Sequence, residues 1–148
     1  MNKLAIIAIL ASVTAAASAA DVGVRVGRDN GTDTNNAGVT VGQKFGDFGA
    51  EAAFDRSTVG KNNVNRWSLV GSYSVDEVAG VSVAAKAGAA FIDPTHGDNG
   101  AALLVGVGAS YPVTNSVSLV ADYAFRKGQE RVRAYDGNIV SVGVKVSF

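Results

Sequence analysis

The final nine residues, Val140-Ser-Val-Gly-Val-Lys-Val-Ser-Phe148, alternate apolar and polar side chains without a break. Successive side chains of a β-strand point to opposite faces, so one face of this stretch carries only valines and Phe148. The other face carries Ser141, Gly143, Lys145 and Ser147. The pattern predicts a strand with one apolar face and one face of small or polar side chains.

The same alternation recurs along the chain, and no helical period competes with it. The 148 residues include 18 Gly, only 2 Pro and no Cys, which indicates one domain of strands and tight turns without disulfides. Turn-forming residues divide this domain into eight strands. We place them at 22–28, 37–46, 48–57, 66–75, 81–91, 101–112, 117–126 and 139–148.

The connections between these strands alternate in length. Those at 46–47, 76–80 and 113–116 are short, and the four others are longer and polar, at 29–36, 58–65, 92–100 and 127–138. An even number of strands, with short turns at one rim and long loops at the other, is typical of transmembrane β-barrels. The sequence therefore predicts an all-β, eight-stranded antiparallel up-and-down barrel with both termini at the short-turn rim.

The amino terminus has the features of a secretory signal peptide. Lys3 precedes an apolar stretch at 4–13, and Ala17-Ser18-Ala19 supplies small residues at the cleavage position. The apolar stretch is too short for a membrane anchor, which needs roughly 20 residues. We predict a signal peptide at 1–20 and a mature barrel domain at 21–148, with cleavage before Ala20 or Asp21. Without Lys3, basic residues fall one short of acidic residues, which does not favour a nucleic-acid partner.

The composition of the two strand faces distinguishes a membrane barrel from a soluble one, which alternates in the opposite sense. The polar face is rich in Gly and Ser, whereas a water-facing exterior carries mainly long charged side chains. Small residues suit the narrow interior of an eight-stranded barrel. The apolar face carries aromatic residues near both ends of the strands, as expected for girdles at the two membrane interfaces. These residues are Phe45, Phe48, Phe54, Trp67, Tyr73, Phe91, Tyr111, Phe125 and Phe148.

Long charged side chains on the polar face are predicted to form a lattice in the lumen. They are Arg25, Lys44, Glu51, Asp55, Arg66, Lys86, Asp122, Arg126 and Lys145. Because unpaired charges are costly in a low-dielectric wall, each carboxylate is expected to have a basic neighbour. From the depth of each residue we predict pairs of Glu51 with Lys44 or Arg25, Asp122 with Lys86, and Asp55 with Arg66. A structural lattice is the favoured interpretation, and an ion path is the alternative.

These features together resemble the small eight-stranded outer-membrane barrels of Gram-negative bacteria, such as the OmpX type and the barrel domain of OmpA. The resemblance covers the mature chain, including the terminal Val-Gly-Val-Lys-Val-Ser-Phe. In that family a carboxy-terminal strand ending in an aromatic residue is an assembly signal, which implies such a role for Val144, Val146 and Phe148. The implied partners are outer-membrane lipid, lipopolysaccharide and the outer-membrane assembly machinery.

Three loop segments carry residues that are candidates for sites. His96, with Asp93 and Asp98 nearby, lies in a polar loop without an oriented nucleophile, so a solvated loop is favoured over catalysis or metal binding. Asp29-Asn30-Gly31-Thr32-Asp33 resembles part of a calcium loop but lacks its terminal Glu, so a polar turn is favoured. The fourth long loop is basic in part and could contact lipopolysaccharide phosphates or a partner, although a solvated loop is favoured. No cofactor or metal is expected.

The sequence thus predicts a non-enzymatic outer-membrane barrel that acts through four extracellular loops, with a host or other surface ligand as a possible partner. A small porin-like channel and a lipid-modifying enzyme are the alternatives.

Overall fold

Eight strands and one short 3-10 helix make up residues 20–148, the part of the chain that the computed structural model describes. The predicted signal peptide lies outside the described residues except for Ala20, and it stays a prediction. The helix is Glu130–Tyr135. The strands are Ala20–Asp29 (β1), Thr34–Phe45 (β2), Phe48–Val59 (β3), Asn62–Val78 (β4), Val81–Pro94 (β5), Gly100–Pro112 (β6), Val117–Gly128 (β7) and Gly137–Ser147 (β8).

The strands form a closed antiparallel barrel in sequence order, which confirms the predicted fold class. Strand β1 pairs with β2 and also with β8, in a register that sets Val24 opposite Val144. Beyond the ladder, Phe148 N–H donates a hydrogen bond to the Ala20 carbonyl at 3.0 Å. The carboxy-terminal strand therefore closes the barrel, and no strand of the described chain is left with a full unpaired edge.

The predicted long connections were wrong in extent, because the strand ladders continue into them. The connection predicted at 58–65 is a β3–β4 hairpin that turns at Gly60-Lys61, and that predicted at 29–36 is reduced to residues 30–33. Polar cross-strand contacts, such as Thr58 Oγ1 donating to Asn63 Oδ1 at 3.0 Å, hold these extensions together. The strands stay paired beyond the end of the apolar alternation because backbone hydrogen bonds do not require an apolar face.

Strand β4 is also longer than predicted at the short-turn rim. It extends to Val78 after a register shift between Ser74 and Asp76, so the turn contains only Ala79 and Gly80. Both residues have positive φ, of 53° and 80°. A two-residue hairpin with this geometry matches the right-handed twist of the strands, and glycine adopts it without steric cost.

The outer wall of the barrel is apolar and exposed. Leu103, Leu69 and Val24 are 68%, 64% and 61% exposed, although large apolar side chains are normally buried in a water-soluble domain. All nine residues of the predicted aromatic girdles lie on this outward face, and Tyr123, which the prediction omitted, lies there too. The rings of Phe54 and Trp67 are 4.4 Å apart on paired strands, and Phe48 and Tyr73 are 5.0 Å apart. Such a wall is suited to contact with hydrocarbon.

No helix within residues 20–148 is long and apolar enough to cross a membrane.

The closed ladder predicts heat-modifiable migration of the refolded protein in detergent gels. Opening the barrel exposes every backbone group that the β1–β8 ladder satisfies, so the folded form resists detergent until it is heated. Unboiled protein is expected to migrate faster than boiled protein because the closed barrel is more compact. Equal mobility of the two samples would contradict a closed barrel.

Candidate functional site

The lumen near the loop end contains a buried carboxylate shared by two arginines. Asp29 Oδ2 accepts a hydrogen bond from Arg66 Nη2 at 2.9 Å and lies 2.8 Å from Arg126 Nη1. The side chains of Asp29 and Arg126 are fully buried, and that of Arg66 is 5% exposed. These three residues close the outer part of the lumen with a tightly packed group of charges.

The sequence prediction missed Asp29, which it placed in a polar turn. Strand β1 extends one residue further than predicted, and the inward positions Arg25 and Gly27 lead directly to Asp29. The alternation of period two contained this signal, but the following Asn30-Gly31 suggested a turn instead. In the structure Gly31 N–H donates to Asp29 Oδ1 at 3.1 Å, while the exposed Asp33 pairs with Arg28. The two aspartates therefore do not face a common cation.

A second network of charges lies closer to the short-turn rim. Arg25 donates from Nε to Asp55 Oδ1 at 2.8 Å and from Nη2 to Asp55 Oδ2 at 2.5 Å. Its Nη1 lies 3.4 Å from Glu51 Oε1, and Lys145 Nζ lies 2.5 Å from Glu51 Oε2 and 3.3 Å from Asp21 Oδ1. The result is a continuous chain of opposite charges from Asp21 to Asp55.

The predicted pairs are present only in part. Asp122 lies 2.6 Å from Lys86, and Glu51 contacts Arg25, as the depths along the strands predict. The prediction for Asp55 was wrong, because its cross-strand neighbour Arg66 turns to Asp29 and Asp55 binds Arg25 instead. The choice follows from the missed Asp29, which gives Arg66 a buried partner.

Lys44 is the one predicted lattice residue that stays outside the paired network. It has an inward position on β2 but lies at the short-turn rim, where its side chain is exposed. Within residues 20–148 it forms no ion pair, so of the two partners predicted for Glu51, Lys44 or Arg25, the structure has Arg25. The lysine that pairs with Glu51 at this depth is Lys145 on β8. The sequence prediction includes Lys145 in the lattice but names no acidic partner for it.

The paired lumen charges balance. The ion pairs of the lumen involve five acidic and five basic residues. The five acidic residues include Asp21 and Asp29, which the sequence prediction omitted. Breaking a buried ion pair by removing one partner typically costs about 3–5 kcal/mol, because the other charge is left uncompensated. The ten paired side chains therefore carry no net charge together.

The fourth long connection folds back over the loop end of the barrel. Its 3-10 helix inserts Val132, which is fully buried against the inward-facing Val64, Ile92 and Ala102. Arg126 Nε donates to the Tyr135 carbonyl at 2.5 Å, which ties the same helix to the buried charges below it. Arg126 is thus a lumen residue and not part of an exposed basic loop. An apolar plug, which the sequence prediction did not include, covers the outer mouth.

The space that remains in the lumen is unevenly divided. A cavity of about 60 Å³ lies among the central charges, lined in part by Arg25, Asn36 and Arg66. A larger cavity of about 460 Å³ opens at the short-turn rim, and its inner end is formed by Glu51 and its neighbours. We call the larger cavity the vestibule. The lumen is therefore open toward the termini and closed toward the loops.

His96 lies on the outer surface, away from the lumen. Asn62 Nδ2 donates to its carbonyl at 2.6 Å, and its own N–H donates to Asn62 Oδ1 at 3.0 Å, which docks the third loop on the β3–β4 hairpin. The imidazole is exposed and makes no hydrogen bond to residues 20–148. In that part of the chain no group of three His, Cys, Asp or Glu residues could hold a metal ion.

Comparison of the sequence with protein families and with curated proteins gives no match. Solved structures do match. The amino-terminal barrel domain of Pseudomonas aeruginosa OprF aligns with a TM-score of 0.68 at 17% identity, over 88% of this chain and 98% of that one. Neisserial surface protein A aligns at 0.64 and 18% identity, over 88% and 95% of the two chains. Yersinia pestis outer membrane protein Ail aligns at 0.59 and 12% identity, over 89% and 100%.

This chain has the fold of the small eight-stranded outer-membrane β-barrels. At such low identities the likeness establishes the fold and leaves the role of this barrel to its own residues. Those residues form the charge network, the plug at Val132 and the vestibule.

In this outer-membrane barrel fold, Asp29→Asn is expected to be strongly destabilising, by about 3–5 kcal/mol, because two buried guanidinium groups lose their shared counter-charge. Asp33→Asn is the matched control: it removes a carboxylate four residues away, from an exposed pair, and is expected to cost less than about 1 kcal/mol. Urea unfolding of both variants in lipid vesicles measures the difference. Equal losses of stability would show that the outer charge cluster is not a structural centre.

Proposed function

We propose that this protein is an integral barrel of the Gram-negative outer membrane that neither conducts ions nor catalyses a reaction. The exposed apolar wall with its aromatic rings fits a lipid environment. The observation that carries the proposal is the closure of the lumen, by the Asp29–Arg66–Arg126 cluster and by Val132 above it. A closed barrel of this size can act through its surface.

The proposed working surface is the loop end, with the loops outside the cell. Exposed cations there are interspersed with Asp33, Asp98 and Glu130. They are Arg28, Arg56, Lys61, Lys127, Arg131 and Arg133. Mixed charges of this kind fit lipopolysaccharide phosphates or a surface of another cell. The names of two fold neighbours, Neisserial surface protein A and the attachment invasion locus protein of Yersinia pestis, are consistent with a surface role.

The outer-membrane assembly machinery is the proposed partner during biogenesis. Val144 and Val146 face outward on β8, and Phe148 follows at the rim, 74% exposed. An aromatic residue at the end of the closing strand would be accessible to such a partner before β8 pairs with β1. Val144, Val146 and Phe148 are therefore the proposed assembly signal.

A small pore is the second candidate function, and the vestibule is the feature that favours it. Ions entering from the short-turn rim would reach Glu51, Lys145 and the Lys86–Asp122 pair, and would then have to pass Arg126 and Val132. Eight-stranded barrels have interiors that side chains can fill, whereas aqueous channels are found at about 16 strands. The closed outer half therefore favours the non-conducting barrel.

In planar lipid bilayers, the intact protein is expected to show no steady conductance at either polarity. The physical reason is that any permeating ion must displace buried ion pairs and the apolar plug. A porin reconstituted in the same bilayers provides the positive control. Stable, ion-selective channels of uniform size from the heat-modifiable form would overturn the closed-lumen proposal and support the pore.

A lipid-modifying enzyme is the other alternative function. Catalysis by such an enzyme would depend on His96. His96→Ala is expected to leave the lipid A of cells carrying the protein unchanged by mass spectrometry, because the exposed imidazole has no bonded nucleophile or orienting carboxylate. Cells without the protein serve as the reference. A modification that is present with the native protein and lost with His96→Ala would establish the enzyme instead.

A further inference from the structure

The outer wall carries basic side chains at its loop end. Arg56 on β3 and Lys127 on β7 each follow an inward-facing residue, Asp55 and Arg126, so both point outward. The strand register agrees, since Lys127 is opposite Leu103, which is 68% exposed on the wall. Neither cation forms an ion pair in the described part of the chain. Both are therefore available to a charged group outside the barrel.

Each of these two cations follows an aromatic residue of the girdle on the same face. Phe54 precedes Arg56 by two positions, and Phe125 precedes Lys127 by two. A strand rises about 3.3 Å per residue, so each cation lies roughly 6–7 Å further along its strand than the aromatic residue. Aromatic side chains of membrane proteins lie at the level of the lipid head groups. A long basic side chain just beyond them therefore reaches the phosphate groups of the same leaflet.

The short-turn rim has no equivalent of these cations. Two positions beyond Tyr73 the exposed residue is Val75, and no outward-facing cation lies at this rim in the described chain. Lys44 and Lys145 are near it, but their positions face the lumen. The hairpins at this rim carry acidic residues instead: Asp47, Asp76 and Glu77. Cations that only anchored the barrel at an interface with water would be expected at both rims, so the asymmetry indicates a partner in one leaflet.

Arg28, the third outward cation near the loops, differs because a carboxylate already neutralises it. Its guanidinium pairs with Asp33 in an exposed ion pair. Arg56 has no such partner: the outward carboxylate of Asp93 lies two strands away in the ladder, beyond Asn65, and forms no ion pair with it. The wall thus carries one paired cation and two that are free to bind an anion, which provides a comparison within the molecule.

We propose that Arg56 and Lys127 bind phosphate groups of lipid A, a glycolipid that carries phosphate monoesters, from the side of the barrel. The inference rests on the proposed function, in which the loops lie outside the cell, and it extends the working surface from the loops to the wall. A phosphate monoester presents three oxygen atoms and up to two negative charges, which suit a guanidinium fork or an ammonium group. Phe54 and Phe125 contact the acyl chains of the same lipids.

Trp67, the one tryptophan of the chain, reports on the site at Arg56. It is paired with Phe54 and lies diagonally across the β3–β4 ladder from Arg56. In vesicles of brominated phosphatidylcholine its fluorescence is quenched by the adjacent acyl chains, and an unbrominated lipid that displaces them restores it. Lipid A is expected to restore the fluorescence at an about fivefold lower mole fraction than dephosphorylated lipid A with the same acyl chains. This factor corresponds to one basic residue beside an anionic lipid.

Substitution of single cations identifies the site. Arg56→Gln is expected to abolish the preference for phosphorylated lipid at Trp67. Arg28→Gln, which removes a paired cation, and Lys44→Gln, at the opposite rim, are the matched controls and are expected to retain it. Lys127→Gln lies on β7, away from Trp67, and is expected to leave the fluorescence unchanged while lowering the number of lipid A molecules retained in native mass spectrometry. Heat-modifiable migration verifies that each variant is folded.

Several outcomes would overturn the proposal. They are equal restoration of fluorescence by the two forms of lipid A, an undiminished preference in Arg56→Gln, and loss of the preference in either control variant. Phosphatidylglycerol that acts as well as lipid A at equal charge would also overturn it, because the wall would then attract any anionic lipid. Conductance is measured separately in planar bilayers, so failure of the lipid site is distinguishable from failure of the closed-lumen proposal.

Discussion

The rest of this structure depends on one constraint: the backbone N–H and carbonyl groups at the seam between β1 and β8 must be hydrogen-bonded. In hydrocarbon an unpaired N–H or carbonyl group costs several kcal/mol, so a sheet can span only when its edges meet. The seam sets Val24 opposite Val144 and ends where the Phe148 N–H donates a hydrogen bond to the Ala20 carbonyl. Because every strand then has two neighbours, the alternation of side chains divides the whole chain into a wall and a lumen.

The division reverses the usual location of the apolar core. Large apolar side chains lie mostly on the outer wall, and the apolar cluster inside is limited to Val64, Ile92, Ala102 and Val132 near the loop end. Cohesion within the lumen comes instead from ion pairs, which connect β1 to β3, β4, β7 and β8. Such pairs are sensitive to the loss of one partner, whereas the wall tolerates exchange among apolar residues of similar size.

Period-two alternation made the fold predictable, since eight stretches with one apolar face leave few other arrangements. It also placed Lys86 and Asp122 at one depth, where they pair. The ends of the strands were not predictable in the same way, because pairing continues where both faces are polar. For this reason the sequence prediction left Asp29 out of the lumen and paired Arg66 with Asp55. Val132 could not be predicted either, since a valine between two arginines in a loop carries no periodic signal.

The distribution of the paired charges along the barrel axis has an electrical consequence. The outer cluster holds one carboxylate and two guanidinium groups, whereas the chain from Asp21 to Asp55 holds three carboxylates and two cations. The paired charges are neutral as a whole, yet they have an excess positive charge beneath the loops and an excess negative charge toward the termini. The paired charges therefore form an electric dipole along the barrel axis, with its positive end beneath the loops.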